Sequence, residues 1–136
     1  MNKILAPKAF DRGSDLSVGE EANILELYDQ AASLAAMGAW SCDIESERLA
    51  WTGGVFELFG LSPEQPLERQ SIVQLYCEQS RELLERKRSH AIETGGAFSL
   101  DANIVRPDGE ERWIRIKAAT RSSGGRARTL YGMKQD

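Results

Sequence analysis

The stretch from Phe98 to Ala119, FSLDANIVRPDGEERWIRIKAA, leaves this chain the fewest choices of fold. Its first half sets Phe98, Leu100, Ala102 and Ile104 against Ser99, Asp101 and Asn103. Alternation with a period of two marks a strand with one buried face. The second half alternates again, Ile114, Ile116 and Ala118 against Arg115, Lys117 and Ala119. Between the halves sits Pro107-Asp108-Gly109. Pro107 presets φ, Asp108 can bond its own backbone, and Gly109 accepts positive φ. Two alternating runs around such a turn predict a β-hairpin. Parity puts Trp113 opposite Ile114 and Ile116, among Arg112, Arg115 and Lys117. An exposed Trp there is expected to serve as a docking surface.

The remaining chain divides around this hairpin. Residues 1–19 contain Pro7, Gly13 and Ser14 and no periodicity, which reads as a flexible arm. Residues 20–37 read as an amphipathic helix. Ile24, Leu27, Ala31 and Leu34 fall at heptad spacing, with Leu25, Tyr28, Ala32 and Ala35 beside them. The stripe is wide for one short helix, so it suits either packing on its own domain or dimerisation. The expected dimer surface is Ile24, Leu27, Tyr28, Ala31, Leu34 and Trp113, making a homodimer. Gly38 is expected to cap this helix, and residues 38–136 form the domain proper.

A second hairpin follows. Ala39 to Ile44 alternates Trp40, Cys42 and Ile44 against Ser41 and Asp43, and Arg48 to Thr52 returns after Glu45-Ser46-Glu47. From Gly53 to Cys77 the pattern is helical and broken, punctuated by Gly60, Pro63 and Pro66. A longer helix is expected from Ser80, as N-cap, to Thr94, stopped by Gly95-Gly96. After the central hairpin, Ser122 to Gly125 reads as a polar loop, and Leu130, Tyr131 and Met133 belong to a last strand. Strands grouped in hairpins with helices clustered between them predict an α+β fold rather than a doubly wound sheet.

Composition narrows the function. The chain has 136 residues, 41% hydrophobic and 28% charged, enough for one globular core. A net charge of −4 argues against a nucleic-acid partner, which normally needs a basic patch. No apolar run is long enough to span a bilayer, and the amino terminus has no signal-peptide core. The expectation is a cytoplasmic protein with no membrane partner. Cys42 and Cys77 have no metal-ligand spacing and are expected to be reduced thiols.

Several segments together resemble the PAS family, of the subtype with a PAC-type second half. Gly38-Ala39-Trp40 with Asp43 resembles its G-x-W-x-x-D first strand, and Leu49-Ala50-Trp51-Thr52 its second. Glu57 to Glu64, ELFGLSPE, is similar to the family's Phe-Gly and Pro-Glu segment. Ile104 to Glu110 with Arg112-Trp113-Ile114 looks like the central hairpin, and Gly132 to Asp136 like the last strand. The resemblance covers about 35–136. It implies a five-stranded antiparallel sheet with helices over one face, here preceded by the amphipathic helix. It also implies a non-catalytic sensory module, the input domain of a histidine kinase or diguanylate cyclase-type protein, with a downstream output domain. A ligand-free dimerisation or docking module is the alternative.

No catalytic or metal-binding set is visible. His90 is the single histidine and lacks the partners that acid–base or metal chemistry needs. Asp43, Glu45 and Glu47 read as a solvated turn rather than a Ca²⁺ site. Haem-binding relatives use a histidine on the long helix, and the matching position here is Leu84. Photoactive flavin domains need a cysteine in an Asn-Cys-Arg-Phe-type motif, which neither Cys42 nor Cys77 provides. Haem and photoactive flavin are therefore disfavoured, and no cofactor is predicted. An unidentified small ligand remains the candidate. Trp40, Phe56, Phe59, Tyr76, Phe98 and Tyr131 are expected to line the space between helices and sheet, with Cys42, Asn103 and Thr129 as polar fixtures.

Overall fold

A computed structural model describes residues 18–136. The flexible arm expected over 1–19 lies almost wholly outside the described residues. Helix α1 spans Val18–Leu34. Strands β1 (Met37–Asp43) and β2 (Leu49–Trp51) follow, then helices α2 (Gly53–Phe59), α3 (Arg69–Val73) and α4 (Glu78–Thr94). Strands β3 (Ala97–Val105), β4 (Glu111–Ser123) and β5 (Arg126–Gln135) complete the chain. Of the described residues, Val18–Leu34 fall in one compact unit and Ala35–Asp136 in another.

The five strands make one sheet in the order β2-β1-β5-β4-β3, every pairing antiparallel. The central hairpin forms in the register its alternation demands, from Ala97 opposite Ala119 to Val105 opposite Glu111. Its turn works as the residues dictate. The Asp108 Oδ1 accepts the Glu110 N–H at 2.9 Å, and Gly109 takes φ +92°. Leu100, Ala102, Ile104, Ile114 and Ile116 turn one sheet face inward. Val55, Leu58 and Phe59 of α2, Ile72 of α3 and Tyr76 cover that face and complete the core.

Three local expectations are corrected. The first helix ends at Leu34, and Met37 already belongs to β1. Gly38 is not its cap. Ala36 makes the turn at φ +53°, and Gly38 lies in β1 where a Cβ would stand 2.4 Å from the Val55 nitrogen. Glycine is needed there for close approach, not for chain reversal. Helix α4 begins two residues before its expected cap, with Cys77 in the N-cap position. Ser80 is buried, and its hydroxyl accepts the Asn103 N–H of β3 at 2.8 Å. Cys77 N–H to Asn103 O (3.0 Å) and Val105 N–H to Leu75 O (2.7 Å) occupy more of the β3 edge. An otherwise open strand edge is thus closed by the segment entering α4. The last strand is also longer than Leu130–Met133 alone suggests. The turn before it is tightened by Gly124 and Gly125, both at positive φ.

Candidate functional site

The space between sheet and helices narrows to a cavity of about 50 Å³. Trp40 and Cys42 of β1, Arg69, Ile72 and Val73 of α3, and Tyr76 enclose one part of it. Leu84 and Arg88 of α4, Phe98 of β3, Ile116 of β4, and Leu130 and Lys134 of β5 enclose the rest. Strands β1, β3, β4 and β5 each deliver an inward residue because its parity matches the buried face. Along β5, Leu130 and Lys134 point in, so Tyr131 points out.

Lys134 is the centre of this site. It is only 8% exposed, and its ammonium donates to the Tyr76 hydroxyl at 3.0 Å. Four rings surround the Nζ, with centroids at 5.0 Å for Phe59, 5.3 Å for Trp40, 5.5 Å for Trp51 and 5.7 Å for Tyr76. Their π faces favour the cation. The rings also brace one another. Trp51 stacks on Phe59 at 4.9 Å and meets Phe56 edge-on at 5.2 Å. Burial works against the charge and pushes the Lys134 pKa down to about 7. Cys42 opposes that shift and Arg69 adds to it. Burial likewise raises the Tyr76 phenol and the Cys42 thiol above their ordinary values.

The two arginines have carboxylate partners at the cavity rim. Arg69 pairs with Glu85 and reaches Glu47 at 3.9 Å, and Arg88 reaches the same Glu47 oxygen at 3.8 Å. Glu47 comes from the β1–β2 turn, which Asp43 fixes by accepting the Ser46 N–H and hydroxyl at 2.8 and 2.7 Å. Those bonds hold the Asp43 carboxyl below its ordinary pKa. The acidic turn therefore splits its work: Asp43 shapes the backbone while Glu47 bridges two arginines.

Of the residues expected to line the pocket, Trp40, Cys42, Tyr76 and Phe98 do so. Phe56 and Phe59 are not among the lining residues; both are buried in the ring cluster, with the Phe59 ring 5.0 Å from the Lys134 Nζ. Asn103 is not on the wall. Its backbone meets Ser80 and its amide donates to the Arg112 carbonyl at 3.4 Å. Tyr131 and Thr129 have outward parity on β5. Tyr131 is 41% exposed, with the Arg121 guanidinium 5.1 Å from its ring centroid. The aromatic-first reading missed Arg69, Arg88 and Lys134. Lys134 breaks the outward-polar rule of a strand, and that misplaced charge was its only signal.

The remaining candidates lie elsewhere. His90 is exposed, in a shallow groove with Leu83, Arg86, Lys87, Ala97 and Phe98. Among the described residues, no three His, Cys, Asp or Glu side chains cluster to hold a metal. In the expected dimer surface, Leu27 and Trp113 are each 64% exposed and Leu34 is 91% exposed. Tyr28 and Ala31 are also exposed, and Ile24 is half-buried. No helix of the described residues is long and apolar enough to cross a membrane.

Comparisons with known proteins agree with this architecture. The family model described as PAS fold matches residues 48–133. The blue-light-activated histidine kinase of Brucella ovis is 25% identical over 117 residues, covering 86% of this chain and 23% of that protein. The chain thus spans about a quarter of that relative's length. Among solved structures, the N-terminal domain of a diguanylate cyclase with PAS/PAC sensor from Marinobacter aquaeolei superposes with a TM-score of 0.67. It is 17% identical and covers 74% of this chain and 94% of that one. A light-oxygen-voltage domain studied with a flavin analogue superposes with a TM-score of 0.59 at 18% identity, covering 77% and 80% of the two chains.

These matches correct the cofactor expectation. The lack of an Asn-Cys-Arg-Phe-type motif disfavours photoactive flavin, yet blue-light-activated kinases and light-oxygen-voltage domains stand among the similar proteins. A missing cysteine bears on one photochemical step, not on binding. The wall also offers what a flat heteroaromatic ring requires. Trp40 and Phe98 supply rings, and Lys134 and Tyr76 supply donors for ring carbonyls. The enclosed volume of about 50 Å³ is smaller than such a ring. The sheet order, the helical cover over one face and the family match across most of both together place this chain in the PAS fold family.

Proposed function

We propose that this chain is a non-catalytic sensory input module that reads a small ligand in the Lys134 cavity and relays the change through its termini. The carrying observation is the position of Lys134 on β5. Two residues later, the Asp136 N–H donates to the Ala36 carbonyl at 3.0 Å, and the Gln135 side chain donates to the Ala35 carbonyl at 3.2 Å. A shift of Lys134 therefore pulls on both ends of the domain through one strand. The relatives' names support a histidine kinase or diguanylate cyclase-type output. In that reading, helix α1 carries the signal and the sheet with its helical cover senses. Coupling between cavity and termini is expected in the usual range of about 1–3 kcal/mol.

The test is amide hydrogen exchange on the full chain with and without ligand. Occupancy is expected to change protection at Gln135 and Asp136 as well as around the cavity. Protection that changes only at the cavity refutes the relay.

The similar blue-light proteins favour flavin as one occupant. Trp40, Phe98, Tyr76 and Lys134 would hold it, and when bound it would supply light absorption. Expression with added flavin checks this: a visible flavin band is expected to co-elute with the protein. The second reading is a ligand-free docking module, favoured by the exposed Leu27, Leu34 and Trp113.

A further inference from the structure

We propose that the cavity beneath α3 and α4 binds a small planar oxyanion, of the class of short-chain carboxylates, with Lys134 as its anchoring cation. This inference rests on the reading of that cavity as the sensory pocket and names the chemistry it selects.

Charge is the first argument. Three cations, Arg69, Arg88 and Lys134, line the cavity, and no carboxylate does. The arginines share Glu47 and Glu85 at the rim. Lys134 has no such partner among the described residues; its one hydrogen bond goes to a neutral phenol. A buried charge without a counterion is costly. The aromatic cage offsets part of that cost, and an anion would offset the remainder.

Hydrogen-bonding capacity is the second. Lys134 carries three N–H donors and uses one on Tyr76. The indole N–H of Trp40, a residue of the cavity wall, is buried without any acceptor. An orphaned indole N–H beside a buried cation is unusual, because buried donors are normally satisfied. A ligand rich in acceptor oxygens supplies what this cluster lacks.

Size is the third. A cavity of about 50 Å³ has room for roughly three or four water-sized groups. Formate, acetate and nitrate match that volume and present paired oxygens to an ammonium and an indole. Ile72, Val73 and Leu130 give a short carbon tail an apolar wall. Glu47, bridging Arg69 and Arg88, is a built-in competitor at the mouth.

The experiment uses the ¹⁵N-labelled full chain at pH 6, where Lys134 is protonated. Sodium formate, acetate and nitrate are titrated against sodium chloride at matched ionic strength. The Trp40 indole resonance is expected to shift saturably with the oxyanions, while the exposed Trp113 indole stays fixed. The best-bound anion separates carboxylate from inorganic sources. Lys134→Met is expected to weaken binding about tenfold or more, and Glu47→Gln to strengthen it by freeing the arginines. Should Lys134→Met fail to fold, the native protein still decides. The groups facing Lys134 are Cys42 from β1, Arg69 from α3, Arg88 from α4 and Tyr76, none of them a carboxylate. Binding should then weaken about tenfold for each pH unit above 7. An equal Trp40 shift with chloride, or unchanged acetate binding in Lys134→Met, overturns the proposal. A cavity that refuses every oxyanion yet takes up flavin ends the anion assignment and leaves the sensory reading intact. A Trp40 resonance that answers to neither ends both.

Discussion

Lys134 shows how one side chain can set a pH response. Its pKa is about 7 in the folded protein, against an ordinary value of 10.5. Between those values the unfolded chain binds the proton and the folded chain does not. Stability from this group therefore rises as pH climbs from about 7 toward 10.5, by at most about 1.4 kcal/mol per pH unit. Below about pH 7 both states are protonated and the contribution is flat. Denaturant titrations across this range should show the slope in the native protein and lose it in Lys134→Met. The two thiols should also part company. Hydrogen bonds from Ser80 lower the Cys77 pKa, whereas burial raises that of Cys42. Since the thiolate is the reactive form, Cys77 is expected to alkylate first. Peptide mass mapping after brief maleimide exposure checks this, and prior labelling at Cys42 would contradict the burial described here.

At the scale of elements, the sheet is pinned by close approach as much as by hydrogen bonding. Gly132 on β5 faces Trp40 on β1 and Ala118 on β4. A Cβ there would stand 1.8 Å from the Lys117 carbonyl oxygen, so the backbone itself must give way. Gly132→Ala is expected to cost about 1–3 kcal/mol of stability, the range for overpacking a dense interior. It should also disturb Lys134, two residues away on the same strand face. A thermal melt and the Trp40 indole resonance test both effects, and an unchanged melting temperature would show that β5 can shift freely. The edge of β3 depends in a comparable way on α4 through Ser80 and on the segment entering it through Cys77 and Leu75.

For the whole molecule, the exposed apolar residues on α1 lead to a prediction about assembly. Leu25, Leu27 and Leu34 are 65%, 64% and 91% exposed. Charges at Leu27 and Leu34 would not disturb the core that Val55, Phe59 and Ile114 build. Leu27→Asp with Leu34→Asp is thus expected to leave the melting temperature nearly unchanged and to halve the mass seen by light scattering. A mass that stays the same in both proteins would end the proposal of a homodimer through α1.

Local pattern alone determined much of this protein. Period-two alternation from Phe98 to Ala119 specified a hairpin and its register, because a one-residue slip turns every apolar side chain to water. The order of strands and helices specified the α+β class, and the motifs from Gly38 to Gly132 pointed to the PAS family. The cavity was only half legible. Trp40, Cys42, Tyr76 and Phe98 were found because apolar, inward residues announce themselves. Tyr131 misled because aromatic character says nothing about strand parity when the strand's limits are unknown. Glu47, Arg69, Arg88 and Lys134 lie far apart in sequence, and a charged residue is by default a solvated one. Only the closing of α3 and α4 over the sheet brought these charges to one space, and only tertiary burial turned an ordinary lysine into the site's defining group.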